Sequence, residues 1–200
     1  MEKYVDDIVN EIRETQNRFF SDAKPLLITI AKEIADRLLS GGKILIFGNG
    51  GSAADAQHVA AEFINRFQME RPPLPAIALT TDSSVITSIG NDYNFDDIFS
   101  KQIEAIATEK DIVIAISTSG NSPNVIKALR TANRLGVKSI GFTGKTGGKM
   151  NGLCDILLKV DSNVTARIQE IHITSFHIIC GLVDEILFGK FSGVQDGYNQ

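Results

Sequence analysis

The feature that most constrains this chain is the alternation that begins at Lys43. Five short apolar runs, KILIF (43–47), PAIAL (75–79), DIVIAI (111–116), VKSIGF (137–142) and ILLKV (156–160), are separated by stretches of helical periodicity. These runs are near-continuous rather than alternating and are rich in β-branched residues, which suits strands covered on both faces of a parallel sheet. Parallel neighbours need crossover connections, and helical crossovers place a layer on each face. The expected architecture is a three-layer α/β/α sandwich around a five-stranded parallel sheet. Two helices precede it. Val5, Ile8, Ile12 and Phe19 keep helical spacing, as do Leu26, Leu27, Ile30, Ile34 and Leu38; Pro25 suits a first turn, and Gly41-Gly42 ends the second helix. Residues 1–40 thus read as an N-terminal helical extension serving oligomerisation, 41–190 as the α/β domain and 191–200 as a tail, one structural domain overall.

Composition narrows the function classes. With 200 residues, 43% hydrophobic and 22% charged, the chain can bury a full core and resembles neither a disordered nor a fibrous sequence. The start, MEKYVDDIVNEIRE, lacks the apolar stretch of a secretory signal, and no run approaches the ~18 residues of a membrane span. Cys154 and Cys180 have no CxxC spacing. A cytoplasmic protein without membrane partners is expected. A net charge of −4 argues against a broad basic face for nucleic acid, so an anionic ligand must be held by local donors.

In parallel sheets ligands sit beyond the carboxyl ends of the strands. That places GNGGSAAD (48–55), TTDSS (80–84) and STSGNS (117–122) at the expected site. Gly48-Asn49-Gly50-Gly51-Ser52 runs straight into a helix, so bare amides and a helix N-terminus can face an anion, although the same glycines would serve a plain tight turn. The run is neither GxGxxG nor GxxxxGK[ST], so no nucleotide cofactor is expected. Ser117-Thr118-Ser119-Gly120-Asn121-Ser122 offers four hydroxyls before Pro123, a pattern shared by phosphate loops and ordinary helix caps.

On the helix after the glycine loop, Asp55, His58, Glu62 and Arg66 fall within about 80° of one another, while Ala56, Ala60, Phe63 and Phe67 turn to the core. His58 and Glu62, four residues apart, can share a proton or a metal, or form a simple solvated pair. The last helix, about Val164 to Phe188, is apolar nearly all round. Ile168, Ile171, Ser175, Ile179, Leu182 and Ile186 form one stripe, and His177 projects opposite, beside Ile173 and Cys180. A helix without a solvent face is expected against its own sheet and a partner subunit. For His172 or His177 alone, a hydrogen-bonded core imidazole is the simpler reading.

Taken together, FGNGGSAADAQHVAAEFINRF, PAIALTTD, IGNDY, ISTSGNSPNVIKAL, FTGKTGGKM and ARIQEIHITSFH resemble the phosphoheptose isomerase (sedoheptulose 7-phosphate isomerase) family of SIS domains, over about residues 40–188. The resemblance implies a flavodoxin-like SIS fold and an aldose–ketose isomerase that makes D-glycero-D-manno-heptose 7-phosphate through an enediol. It implies that Asn49, Gly50, Gly51, Ser52, Asn91, Asp92, Ser117, Thr118, Ser119, Ser122 and Gln169, with Glu62, contact the sugar phosphate. Glu62 is then the general base and His177 its acid/base partner. His58, Glu62, Gln169 and His177 are the implied ligands of one Zn2+ per subunit, in a homotetramer whose sites are shared between subunits. Two other readings stay open at this level. One is an SIS protein associating with a replication initiator, similar from Gly48 to Asp82; the other is a phosphosugar-binding regulatory module.

Overall fold

The computed structural model describes residues 1–190; the expected tail, 191–200, lies outside them. Helices α1 (Glu2–Asp22) and α2 (Lys24–Leu39) lead into β1 (Ile44–Gly48), α3 (Gly51–Ile64) and β2 (Ala76–Ala78). Then come α4 (Ser83–Asp92), α5 (Ser100–Ile106), β3 (Ile112–Ser117), α6 (Pro123–Arg134), β4 (Lys138–Thr143), β5 (Ile156–Lys159) and α7 (Thr165–Leu187). The five strands are all parallel in the order β2-β1-β3-β4-β5. That is the flavodoxin-like order, and its switch point falls between β1 and β3. Each apolar run yields a strand: β1, β3 and β4 start and end one residue later than the run, β2 loses a residue at each end and β5 loses its last.

Alternation along the strands sorts the core into two faces. Ile44, Ile46, Ile112, Ile114, Ile116, Ile140 and Phe142 point one way, into a cluster with Ile30 and Ile34 of α2, Val59 and Phe63 of α3, and Ile171 and Val183 of α7. Leu45, Phe47, Val113 and Ala115 point the other way, to Ile103 of α5 and Val125 and Leu129 of α6. α2 therefore belongs to the helical layer itself. Fully buried side chains such as Ile30 and Ile34 are each worth about 1.5–3 kcal/mol of transfer free energy.

One expectation changes. The helix carrying His58 stops at Ile64, so Arg66 and Phe67 lie beyond it: the backbone breaks at Asn65 (φ −84°, ψ −92°), and the Arg71 guanidinium takes the carbonyls of Glu62, Phe63 and Asn65. Within one chain α7, expected to lie against its own sheet and a partner subunit, leaves Ile178 exposed and Ile173, His177 and Gly181 half-buried.

Candidate active site at the carboxyl edge and the α3–α7 seam

β1 and β3 are neighbours whose following helices leave towards opposite faces, which opens a crevice between their loops. In the first loop Gly50 has φ 56°, and a Cβ on Gly51 would run into the Gln169 side chain of α7. Ser52 is buried, and its amide bonds the Asn49 carbonyl at 3.0 Å. In the second loop the hydroxyls of Ser117 and Ser122 lie 2.9 Å apart, while Thr118 is half-buried and Ser119 exposed. The amides of Gly50, Gly51, Ser119 and Ser122 are taken by no protein acceptor among the described residues. Free amides and hydroxyls at two helix starts make an anion cradle.

The second part lies along α3 and α7. His58 Nε2 is 3.1 Å from Glu62 Oε1 and 3.1 Å from His177 Nε2, so one imidazole joins the carboxylate of its own helix to the histidine of another. Phe67 stacks on the far side of His177, ring centroids 5.7 Å apart at 22°. All three side chains keep some exposure, as groups meeting a substrate must. One turn earlier Asp55 is half-buried, and that burial raises its carboxyl above the usual range, partly opposed by His58. His172 behaves differently from His177. It is fully buried with Nε2 3.3 Å from the Thr143 carbonyl, and burial lowers its pKa to about 4. The core-imidazole reading thus describes His172 and not His177.

The sequence matches the SIS domain family over residues 7–144. It is 56% identical over 177 residues to a phosphoheptose isomerase from Nitratidesulfovibrio vulgaris, covering 88% of this chain and 85% of that one. The chain belongs to the phosphoheptose isomerase family of SIS-domain proteins. Two solved phosphoheptose isomerases share its fold. The one from Neisseria gonorrhoeae is 42% identical with a TM-score of 0.86, covering 92% of this chain and 98% of that one. The one from Francisella tularensis is 39% identical with a TM-score of 0.89, covering 92% and 97%. The SIS match stops at residue 144, before α7. Neither the initiator-associating nor the regulatory reading finds support among these near relatives.

Not every residue expected from the phosphoheptose isomerase family is gathered by one chain. Asn91 and Asp92 end α4, exposed, and the Asn91 side chain donates to Asp92 at 2.9 Å. Gln169 sits against Gly51, eight residues before His177, which is about 12 Å along the helix axis. His58, Glu62 and His177 form a chain centred on His58, and among the described residues no group of three or more His, Cys, Asp or Glu is arranged to enclose a metal ion. The donor types nevertheless suit zinc, and two imidazole nitrogens at 3.1 Å are close to the tetrahedron edge of about 3.3 Å set by zinc–nitrogen bonds of about 2.0–2.1 Å.

Other contributors were invisible to spacing. Asn124 is buried at the start of α6 and exchanges two amide hydrogen bonds of 2.9 Å with Asn49, tying the two loops together. Gly120 (φ 67°) is backed by the Gly147 carbonyl, which a Cβ would strike, and Gly144 donates to the Thr118 carbonyl at 2.9 Å. FTGKTGGKM is thereby a buttress for the serine loop. A separate open groove of about 510 Å³ lies at the amino ends of β1 and β3, beside Gly42, Lys43 and Asp111. Its buried Asp111 is paired with Lys43 at 2.6 Å and accepts from the Thr108 amide, so its carboxylate is already engaged.

Proposed function

We propose that this chain is an aldose–ketose isomerase interconverting sedoheptulose 7-phosphate and D-glycero-D-manno-heptose 7-phosphate through a cis-enediol. The observation that carries the reading is the contact of Glu62, His58 and His177 across α3, which starts at the anion cradle, and α7, whose Gln169 lies against Gly51. In this reading the phosphate rests on Asn49, Gly50, Gly51, Ser52, Ser117, Thr118, Ser119 and Ser122, with Asn91, Asp92 and Gln169 completing the contacts to the sugar phosphate. Glu62 removes the proton from one of C1 and C2 and returns it to the other. His177 moves protons between O1 and O2. His58, within 3.1 Å of both, orients them.

His58, Glu62, Gln169 and His177 would hold one Zn2+ per subunit, and a zinc ion bound there polarises the sugar oxygens. No nucleotide or redox cofactor enters this chemistry. A homotetramer with sites shared between subunits fits the apolar surface left open on α1 at Tyr4 and Val5 and on α7 at Ile178. The Glu62–His58–His177 trio, however, comes from a single chain. A cytoplasmic setting, without membrane or nucleic-acid partners, fits the free Cys154 and Cys180 and the lack of any membrane-length apolar helix among the described residues.

The test is incubation with sedoheptulose 7-phosphate, followed by NMR for an aldoheptose 7-phosphate. New aldose signals are expected. Their absence with and without added zinc overturns the reading.

A further inference from the structure

The seam between α3 and α7 is closed by residues that proton transfer does not use. Past Asn65 the chain doubles back, and its side chains meet α7 at positions 177, 181 and 184, spaced i, i+4 and i+7 on one helix face. Phe67 stacks on His177 and lies over Gly181, whose Cβ position is 3.6 Å from the ring. Arg71 Nε donates to Asp184 Oδ1 at 2.8 Å, with side chains only 1% and 2% exposed. The rest of the guanidinium points at the end of α3. Nη2 donates to the Glu62 carbonyl at 2.8 Å, and Nη1 to the Phe63 carbonyl at 2.7 Å.

Thermodynamic stability alone is a poor reason for this arrangement. A buried ion pair is often no better than apolar packing of the same volume, and here Asp184 Oδ2 is buried without a hydrogen-bond partner among the described residues. What the pair does fix is registration. One planar cation holds the backbone of Glu62 and, through Asp184, the helix that carries His177 two turns earlier. Misplacing a reacting group by about 1 Å can cost about 10²-fold in rate. We infer that Arg71, anchored by Asp184, is a positioning residue that keeps Glu62 and His58 in register with His177, an inference that rests on the isomerase reading.

The test compares Arg71→Lys, Asp184→Asn and the uncharged pair Arg71→Met/Asp184→Leu with the parent and with Arg134→Gln, which breaks only an exposed ion pair to Glu104. The double variant removes both buried charges together, so folding survives where a single truncation strands one of them. Melting temperature, kcat and KM are measured for each, together with the nuclear Overhauser effect between the His58 and His177 rings, whose centroids are 5.1 Å apart. Only three histidines need assignment.

The expected result is a kcat about 10- to 100-fold lower in the folded double variant, with KM within about threefold. Arg71→Lys, which keeps the charge but not the fork, is expected to fall between it and the parent. A weakened ring-to-ring signal is expected alongside, and Arg134→Gln is expected to match the parent. A folded double variant within about twofold of parental kcat overturns the inference, as does a loss of rate that merely tracks the folded fraction. A parent without turnover removes the isomerase reading instead. The ring-to-ring signal then decides on the bracket: unchanged in the double variant, it sinks the positioning role; lost, it upholds it.

Discussion

The carboxyl edge of the sheet and the α3–α7 seam are made of opposite materials. At the edge, backbone does the work: Gly50 and Gly120 turn with φ 56° and 67°, and free amides face the crevice. Along the seam, side chains do it: His58, paired with Glu62, meets His177 from 119 residues away. Backbone can hold any phosphate, so the edge suits a binder as well as an enzyme. Proton transfer is most often the work of ionisable side chains, so the proposed isomerisation is assigned to the seam.

The strongest way to break that division is Glu62→Gln and His177→Asn. Each is expected to lower kcat by about 10²–10⁴-fold while sugar-phosphate affinity, read by calorimetry, stays within a few-fold. The two losses should not add, since the groups act together. If affinity collapses with turnover, edge and seam are one site rather than two.

His172, on the same helix as His177 but outside the seam, sharpens the contrast through pH. Its pKa of about 4 lies below the ordinary 6.5, so between these values the unfolded chain binds the extra proton. The stability it contributes is full above about pH 6.5 and is lost as pH falls towards 4, up to about 3 kcal/mol. Denaturant melts of His172→Gln should show a shallower acid slope than the parent; an unchanged slope sinks this account.

Smaller effects are expected from the edge. Gly120→Ala forces a side chain onto φ 67° and into the Gly147 carbonyl, a strain of about 1–3 kcal/mol. KM should rise about tenfold with kcat within about threefold, whereas a kcat defect alone would reassign the loop. Asn124→Ala removes the two amide bonds to Asn49, worth about 1 kcal/mol each, and should raise KM several-fold. An unchanged KM would show that the loops hold their places separately.

Much of the edge was legible in the sequence because its signals are local: an apolar run, then glycines or hydroxyls, then a helix. The five strands and both loops follow from that grammar, and His58–Glu62 from i,i+4 spacing. The seam is long-range. Periodicity says only that His177 lies opposite the apolar stripe, and nothing in spacing pairs Arg71 with Asp184, 113 residues on, or Asn49 with Asn124. The end of α3 was misplaced for the same reason, since its capping group arrives from Arg71 rather than from the next residue. What placed His177 and Gln169 beside the loops at the sequence level was resemblance, which carries tertiary information that one sequence's patterning lacks.

The helical layer made by α2, α3 and α7 also has a kinetic side. Ile30 and Ile34 are buried in one cluster with Ile171 and Val183, so α2 finishes its packing only once α7 has been made. Contacts of such sequence separation slow folding and leave apolar surface uncovered while the chain is incomplete. Until α7 emerges, α2 presents its buried face to whatever is nearby, so the unfinished chain is more prone to aggregate than the finished layer.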